Sequence, residues 1–284
     1  MNQSLRYTCL ILIFATQLGF SQRKNSATKA DHNASEKRHN GFIDFVYNEK
    51  MDLIKLEIDK LDEEFLYVNS LAAGIGSNNI GLDRGQLGNE RVVKFVKAGN
   101  KLLLVQPNYR YRAISDNVDE VLAVEQAFAQ SVLWGFVIES EANGKYIVNA
   151  TDFLMQDAHD VSGTLSQAKQ GNYKLDRTRS AFYMPRTKGF PMNTEFETTL
   201  TFTGKATGRD IRSVTPSSNS ITVRQHHSFV ALPDDKYETR VFDPRAGYFG
   251  MSYMDYATPI SENITKRLIN RHRLTKKDPN AEVS

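Results

Sequence analysis

Ser220–Leu232 reads SITVRQHHSFVAL, and its residues alternate with a period of two. Ile221, Val223, His227 and Phe229 fall on one face, and Thr222, Arg224, His226 and Ser228 on the other. This is the pattern of a half-buried β-strand. Thr194–Thr203 (TEFETTLTFT) repeats it upstream. Toward the N-terminus, Gly41–Tyr47 (GFIDFVY), Leu53–Ile58 (LIKLEI) and Phe65–Leu71 (FLYVNSL) alternate in the same way, with charged turns between them. Arg91–Lys97 and Lys101–Gln106 flank Gly99-Asn100, and Val132–Ser140 and Tyr146–Val148 flank Asn143-Gly144. Both dipeptides tolerate positive φ, so each predicts a hairpin.

Helices are fewer. Asn117-Val118-Asp119-Glu120 reads as an N-cap with an acid at the third helical position, followed by Val121, Leu122, Val124 and Phe128. A second helix is predicted from near Asp152, with Leu154, Ala158, Val161, Leu165 and Ala168 at helical spacing and Gly163 as a weak point. Asn263–Leu274 fits neither period well and reads as either helix or strand. The expected fold is α+β and β-dominated: antiparallel sheets packed as a sandwich-like core, with two or three connecting helices.

The N-terminus has a different character. Arg6 precedes a short apolar run from Cys9 to Ala15, and Gly19-Phe20-Ser21 puts small residues at the −3 and −1 positions of a cut before Gln22. That order predicts a signal peptide over 1–21. The run is too short for a membrane anchor, which needs roughly 18 apolar residues. Cys9 opens the run, whereas a lipid-modified cysteine would close it. Residues 22–40 hold no large apolar side chain and are expected to form a flexible polar tether. Residues 41–284 then make one β-rich domain with no transmembrane segment, secreted or periplasmic. Removing the signal removes Cys9, the sole cysteine, together with Arg6, so 35 Lys and Arg stand against 33 Asp and Glu. Such a balance does not point to nucleic acid.

No complete catalytic site is visible. His226 and His227 are adjacent in a strand and point to opposite faces, and no H-E-x-x-H, H-x-H or G-x-S-x-G occurs. The catalytic, cofactor-binding and metal residues expected in this chain are therefore none. Gly74-Ile75-Gly76-Ser77-Asn78-Asn79-Ile80-Gly81, continuing through Asp83, Arg84 and Gln86, resembles a phosphate loop in its glycines alone, because its spacing is neither that of a dinucleotide fold nor of a P-loop. It reads as a structural glycine loop, with Gly74, Gly76, Asn78, Asp83, Arg84 and Gln86 as possible partner contacts. Asp243-Pro244-Arg245-Ala246-Gly247 reads as a tight turn. The basic run from Lys266 to Lys277 has no interleaved aromatics and reads as a solvated or salt-bridged face.

Longer strings carry a resemblance. Leu61–Tyr67, Gly81–Gln86, Phe128–Phe136, Thr151–Leu154, Pro185–Lys188, Asn193–Glu197, His226–Phe229, Phe242–Phe249 and the end from Arg271 to Pro279 form an ordered set. Together they resemble the N-terminal domain, of uncharacterised function, in secreted bacterial zinc-dependent metalloproteases. In that family a metzincin-like catalytic domain follows and carries the zinc. The resemblance therefore implies a non-catalytic accessory domain that packs on or regulates a downstream catalytic domain, with zinc expected there and no cofactor here. The alternative is an autonomous extracellular binding module that recognises a substrate or surface component through the Gly74–Gln86 loop.

Overall fold

A computed structural model describes residues 35–234 and 236–272, together with 274, 276, 278, 280 and 282. The expected signal peptide and most of the expected tether lie outside the described residues.

The alternating segments form strands where they are expected, and most extend by a residue or more. In chain order these are β1 (Glu36–His39), β2 (Asp44–Asn48), β3 (Leu53–Ile58), β4 (Phe65–Ala73), β5 (Leu87–Ala98) and β6 (Lys101–Gln106). After the short β7 (Tyr111–Arg112) and helix α1 (Val118–Ala127) come β8 (Ser131–Ala142) and β9 (Lys145–Asn149). Helices α2 (Thr151–Leu154) and α3 (Val161–Gln167) lead to β10 (Gly171–Phe182), β11 (Lys188–Phe190) and β12 (Asn193–Ala206). Helix α4 (Arg209–Val214) precedes β13 (Ser220–Ala231), and β14 (Gly250–Asp255) and β15 (Thr265–Ile269) follow.

One 12-stranded sheet runs β1-β2-β3-β9-β8-β6-β5-β4-β13-β12-β10, with β11 on the start of β12. The β5–β6 turn places Gly99 at φ 60°, and the β8–β9 turn places Asn143 at 54° and Gly144 at 73°, as the dipeptides predict.

The sheet curls until its early strands face its late ones. Phe45 of β2 meets Phe196 of β12 at 4.9 Å between ring centroids, and Tyr47 meets Phe182 of β10 at 6.2 Å. Between the halves lies one core that includes Phe65, Phe95, Phe136, Phe153, Phe202 and Phe229. Backbone and side chain close the seam: Phe42 N donates to Phe190 O at 2.8 Å, and Thr194 Oγ1 accepts from Ile43 N at 3.0 Å and donates to Ile43 O at 2.9 Å. A Cβ at Gly41 would sit 2.7 Å from Gly189 Cα, so glycine is what permits the two backbones to pass. The β-dominated, sandwich-like expectation holds.

Two local expectations need correction. The tether does not extend to residue 40, because Glu36–His39 pairs antiparallel with β2. Its polarity is compatible with a strand because Arg38 pairs with Glu57 and His39 stacks on Phe45 at 4.5 Å. The second helix is two short ones. Asp157 carboxylate oxygens accept from Val161 N and Ser162 N at 2.8 and 2.9 Å, while Asp160, at φ 55°, accepts from Gly163 N at 3.2 Å. These aspartates cap a fresh N-terminus and so stop the first helix. Within the segment left open as helix or strand, Thr265–Ile269 forms β15, paired with Gly250 to Met254.

Candidate functional site

β13 divides its neighbours by parity, and its two histidines have unrelated environments. On the inner face, His227 is fully buried. Its Nε2 lies 2.9 Å from both Leu154 O and Gln225 Nε2, and its Nδ1 lies 2.9 Å from the Tyr67 hydroxyl. Gln225, two residues back on the same face, donates to Gln156 O at 2.9 Å and accepts from His159 N at 3.0 Å. Asn69 of β4 donates to Ala158 O at 3.1 Å. The chain between α2 and α3 thus has its free backbone groups met by polar side chains from the sheet. Burial pushes the His227 pKa down to about 4 and that of Tyr67 up. This is a neutral structural histidine.

On the outer face His226 sits between two carboxylates of β12, Nε2 at 2.7 Å from Glu195 Oε2 and Nδ1 at 3.3 Å from Glu197 Oε2. Pairing explains the geometry, since His226 lies directly across from Glu197 and Ser228 across from Glu195. Burial pulls the His226 pKa down, but the hydrogen bond and charge of Glu195, with Glu197 behind it, raise it above 6.5 overall. Burial works against ionised Glu195, yet its bonds from His226, Ser228 and Asn193 hold its pKa below the ordinary value. Arg224 completes the group, its Nε 3.3 Å from Glu197 Oε1 and its guanidinium 4.5 Å from the centroid of the Tyr183 ring. That contact supplies charge without hydrogen-bond geometry, because Glu197 Oε1 is buried and has no hydrogen-bond partner.

Glu197, Arg224 and His226 floor a notch of about 400 Å³, whose rim includes Arg84, Gly85 and Arg186. With both ring nitrogens of His226 occupied by carboxylates, the imidazole has no free lone pair to act as a base. Among the described residues, no group of three or more His, Cys, Asp or Glu is arranged to hold a metal.

The Gly74–Gln86 loop does not converge on one place. Ile75, Ile80 and Leu82 are buried beneath it, and Ile75 N donates to Leu82 O at 2.9 Å. A Cβ at Gly74 would lie 2.1 Å from that same carbonyl, so Gly74 serves the turn itself. Gly76, at φ 82°, and Asn78 are exposed at the tip. Asp83 O accepts from Gln86 N at 3.2 Å, and Gln86 Oε1 lies 3.5 Å from His159 Nε2. Of the predicted contact residues, Arg84 alone lines the notch. Sequence reading missed Arg186, Glu195, Glu197 and Arg224. The available signals were Glu195 and Glu197 two apart in one alternating strand and Arg224 and His226 two apart in another, each pair hence on one face.

A different surface lies at the other end of the chain. β14 pairs antiparallel with β15 and parallel with β7, giving a separate three-stranded sheet. Tyr111 stacks on Phe128 at 4.0 Å, with Tyr256 5.2 Å from Phe128. Among the described hydrophobic residues beyond Ala231, Ile269 alone is buried. Val241, Tyr248, Phe249, Met251 and Ile260 are exposed, Phe249 by 90%. The 243–247 segment is the expected turn, with Asp243 accepting from Arg245 N and Gly247 at φ 64°. In the basic run, Arg267 lies over Phe242 at 4.1 Å and Lys266 is 3.9 Å from Glu262. No helix among the described residues is long and apolar enough to cross a membrane.

No match was found among curated proteins or among solved structures. Residues 85–277 match the family DUF5117, described as a domain of unknown function, and this stretch holds most of the notch and the whole three-stranded sheet. The chain belongs to the DUF5117 family.

Proposed function

We propose that this chain is a non-catalytic accessory domain of a secreted zinc-dependent metalloprotease, and that it packs on or regulates a catalytic domain downstream. The observation that carries this reading is the three-stranded C-terminal sheet. Its segment is ordered by strand pairing and aromatic stacking, yet it exposes Val241, Tyr248, Phe249, Met251 and Ile260 within 20 residues of chain. Lone exposed apolar residues are ordinary, but five of them within 20 residues of chain, one on β14 and the others in the segments flanking it, favour a surface made for contact. The resemblance to metalloprotease N-terminal domains supplies the partner. Zinc and the general base then belong to that partner, and this chain contributes the apolar face.

The test supplies a zinc-protease catalytic domain of the resembled type in trans and follows the melting of this chain. A partner at a hundred times its Kd adds about 2.7 kcal/mol, or roughly 5–10 °C for a domain of this size. Phe249→Asp with Met251→Asp should remove the rise and leave the isolated chain's melting unchanged, because both side chains are exposed. Unaltered melting of the native chain at saturating partner would overturn the docking reading. The notch favours the second reading, an autonomous extracellular binding module, which that negative result would bring forward.

A further inference from the structure

We propose that the notch between β12, β13 and the β4–β5 loop is an oxyanion-binding site that takes a carboxylate or phosphate group between Arg84 and Arg186. This inference is independent of the metalloprotease reading and rests on a charge count and on rigid placement.

The carboxylates of the notch already have partners. Glu195 and Glu197 face His226 and the guanidinium of Arg224, within 2.7–3.3 Å. Two guanidinium groups remain without one. Arg84 and Arg186 line the same space of about 400 Å³ and make no ion pair among the described residues. Like charges placed together in a concave site repel, and the low-dielectric wall strengthens their field at the mouth. An anion relieves that repulsion.

Both arginines stand on pinned backbone. Gly85 N, next to Arg84, donates to Leu71 O at 2.7 Å. Arg186 ends a short 3-10 turn, Met184–Arg186, closed by Thr187 N donating to Met184 O at 3.2 Å. Thr187 is buried and ties that turn to β12, its Oγ1 donating to Tyr183 O at 3.2 Å and accepting from Glu197 N at 3.1 Å. Two guanidinium forks on fixed supports, from elements about 100 residues apart in sequence, match the oxygen pairs of a carboxylate or phosphate. The carboxylate floor rejects anions that penetrate deeply, so the ligand presents its oxyanion at the rim and keeps the rest of its bulk outside.

The experiment titrates the whole chain, at low ionic strength, with inorganic phosphate and separately with N-acetylglutamate, followed by amide and arginine side-chain NMR shifts. The expected result is saturable shifts at Arg84, Gly85, Arg186 and Thr187. Saturation by phosphate alone identifies a phosphate group as the natural feature, by N-acetylglutamate alone a carboxylate, and by both a general oxyanion site. Arg84→Ala with Arg186→Ala should weaken binding at least tenfold without lowering the melting temperature, since both side chains are exposed and unpaired. Arg84→Lys with Arg186→Lys keeps the charge but loses the fork, and should weaken it severalfold. Saturation by neither ligand, or equal affinity in the double alanine variant, would overturn the proposal.

Discussion

Replacing Phe229 by alanine is expected to destabilise the protein by about 3–5 kcal/mol, the range for a fully buried phenylalanine whose cavity cannot collapse. Phe229 lies on the inner face of β13, packed against both neighbouring strands and against α2. Its ring lies 5.7 Å from Phe65, 5.4 Å from Tyr67, 6.2 Å from Phe153 and 5.8 Å from Phe196. Those partners come from β4, α2 and β12, so no one element can move to fill the void. Each 1 kcal/mol shifts the melting temperature of a domain this large by roughly 2–4 °C, giving a fall of about 6–20 °C. Phe229→Leu keeps most of the volume and should cost appreciably less. Urea denaturation checks the result: the midpoint should fall with the slope unchanged. A loss under about 1 kcal/mol for the alanine variant would mean that β4, β12 and α2 do not hold a rigid pocket around this ring.

Much of this architecture was legible because its strands alternate. β12 and β13 bury Phe196, Leu200 and Phe202 against Val223, His227 and Phe229, and period two announces each of them. Two twelve-residue strands show where the signal weakens. β5 was recognised only in its second half, since Leu87–Glu90 is largely exposed. β10 (GNYKLDRTRSAF) ends the sheet and buries little beyond Gly171, Tyr173 and Phe182, so its charged middle gave no periodic cue. β14 was missed for a related reason, because its Gly250, Met251 and Ser252 are exposed and it has no core to pattern against.

The candidate site was less legible than the fold. Its groups come from four segments, Arg84, Arg186, Glu195 with Glu197, and Arg224 with His226, and only the register of β12 on β13 brings Glu197 opposite His226. Parity placed His226 and His227 on opposite faces correctly. It could not tell which face was dry, because polar side chains stand on both: Gln225 and Asn69 line the buried one. The break between α2 and α3 follows from the same feature. A polar sheet face needs polar partners, and a broken helix offers its free backbone groups where an intact one has none.

The acid limb of the stability profile is expected to carry the signature of His227. Its folded pKa, about 4, lies below the unfolded value near 6.5. The unfolded chain therefore binds a proton that the folded chain refuses, and stability falls as pH drops from about 6.5 to 4. The shift corresponds to about 3 kcal/mol over that window, at about 1.4 kcal/mol per pH unit. His159 and His39, both held low by burial, add in the same direction. His226 has the opposite sign. Its raised pKa gives stability that is complete below the unfolded value and is lost as pH rises through the folded one. Glu195 and Asp44 have lowered pKa values, so their contributions fade only below about 4.5, the upper of their ordinary values. Between pH 6.5 and 4.5 the histidines thus dominate the slope. His227→Gln keeps a donor near Leu154 O and removes the titration. Unfolding free energies at pH 7.5, 6.5, 5.5 and 4.5 should show the native slope reduced by about one proton in that variant, whatever its loss of stability at pH 7.5. His226→Gln should leave the acid limb in place and flatten the limb above pH 6.5. If the native chain is equally stable at pH 6.5 and 4.5, His227 is not held neutral in a dry core.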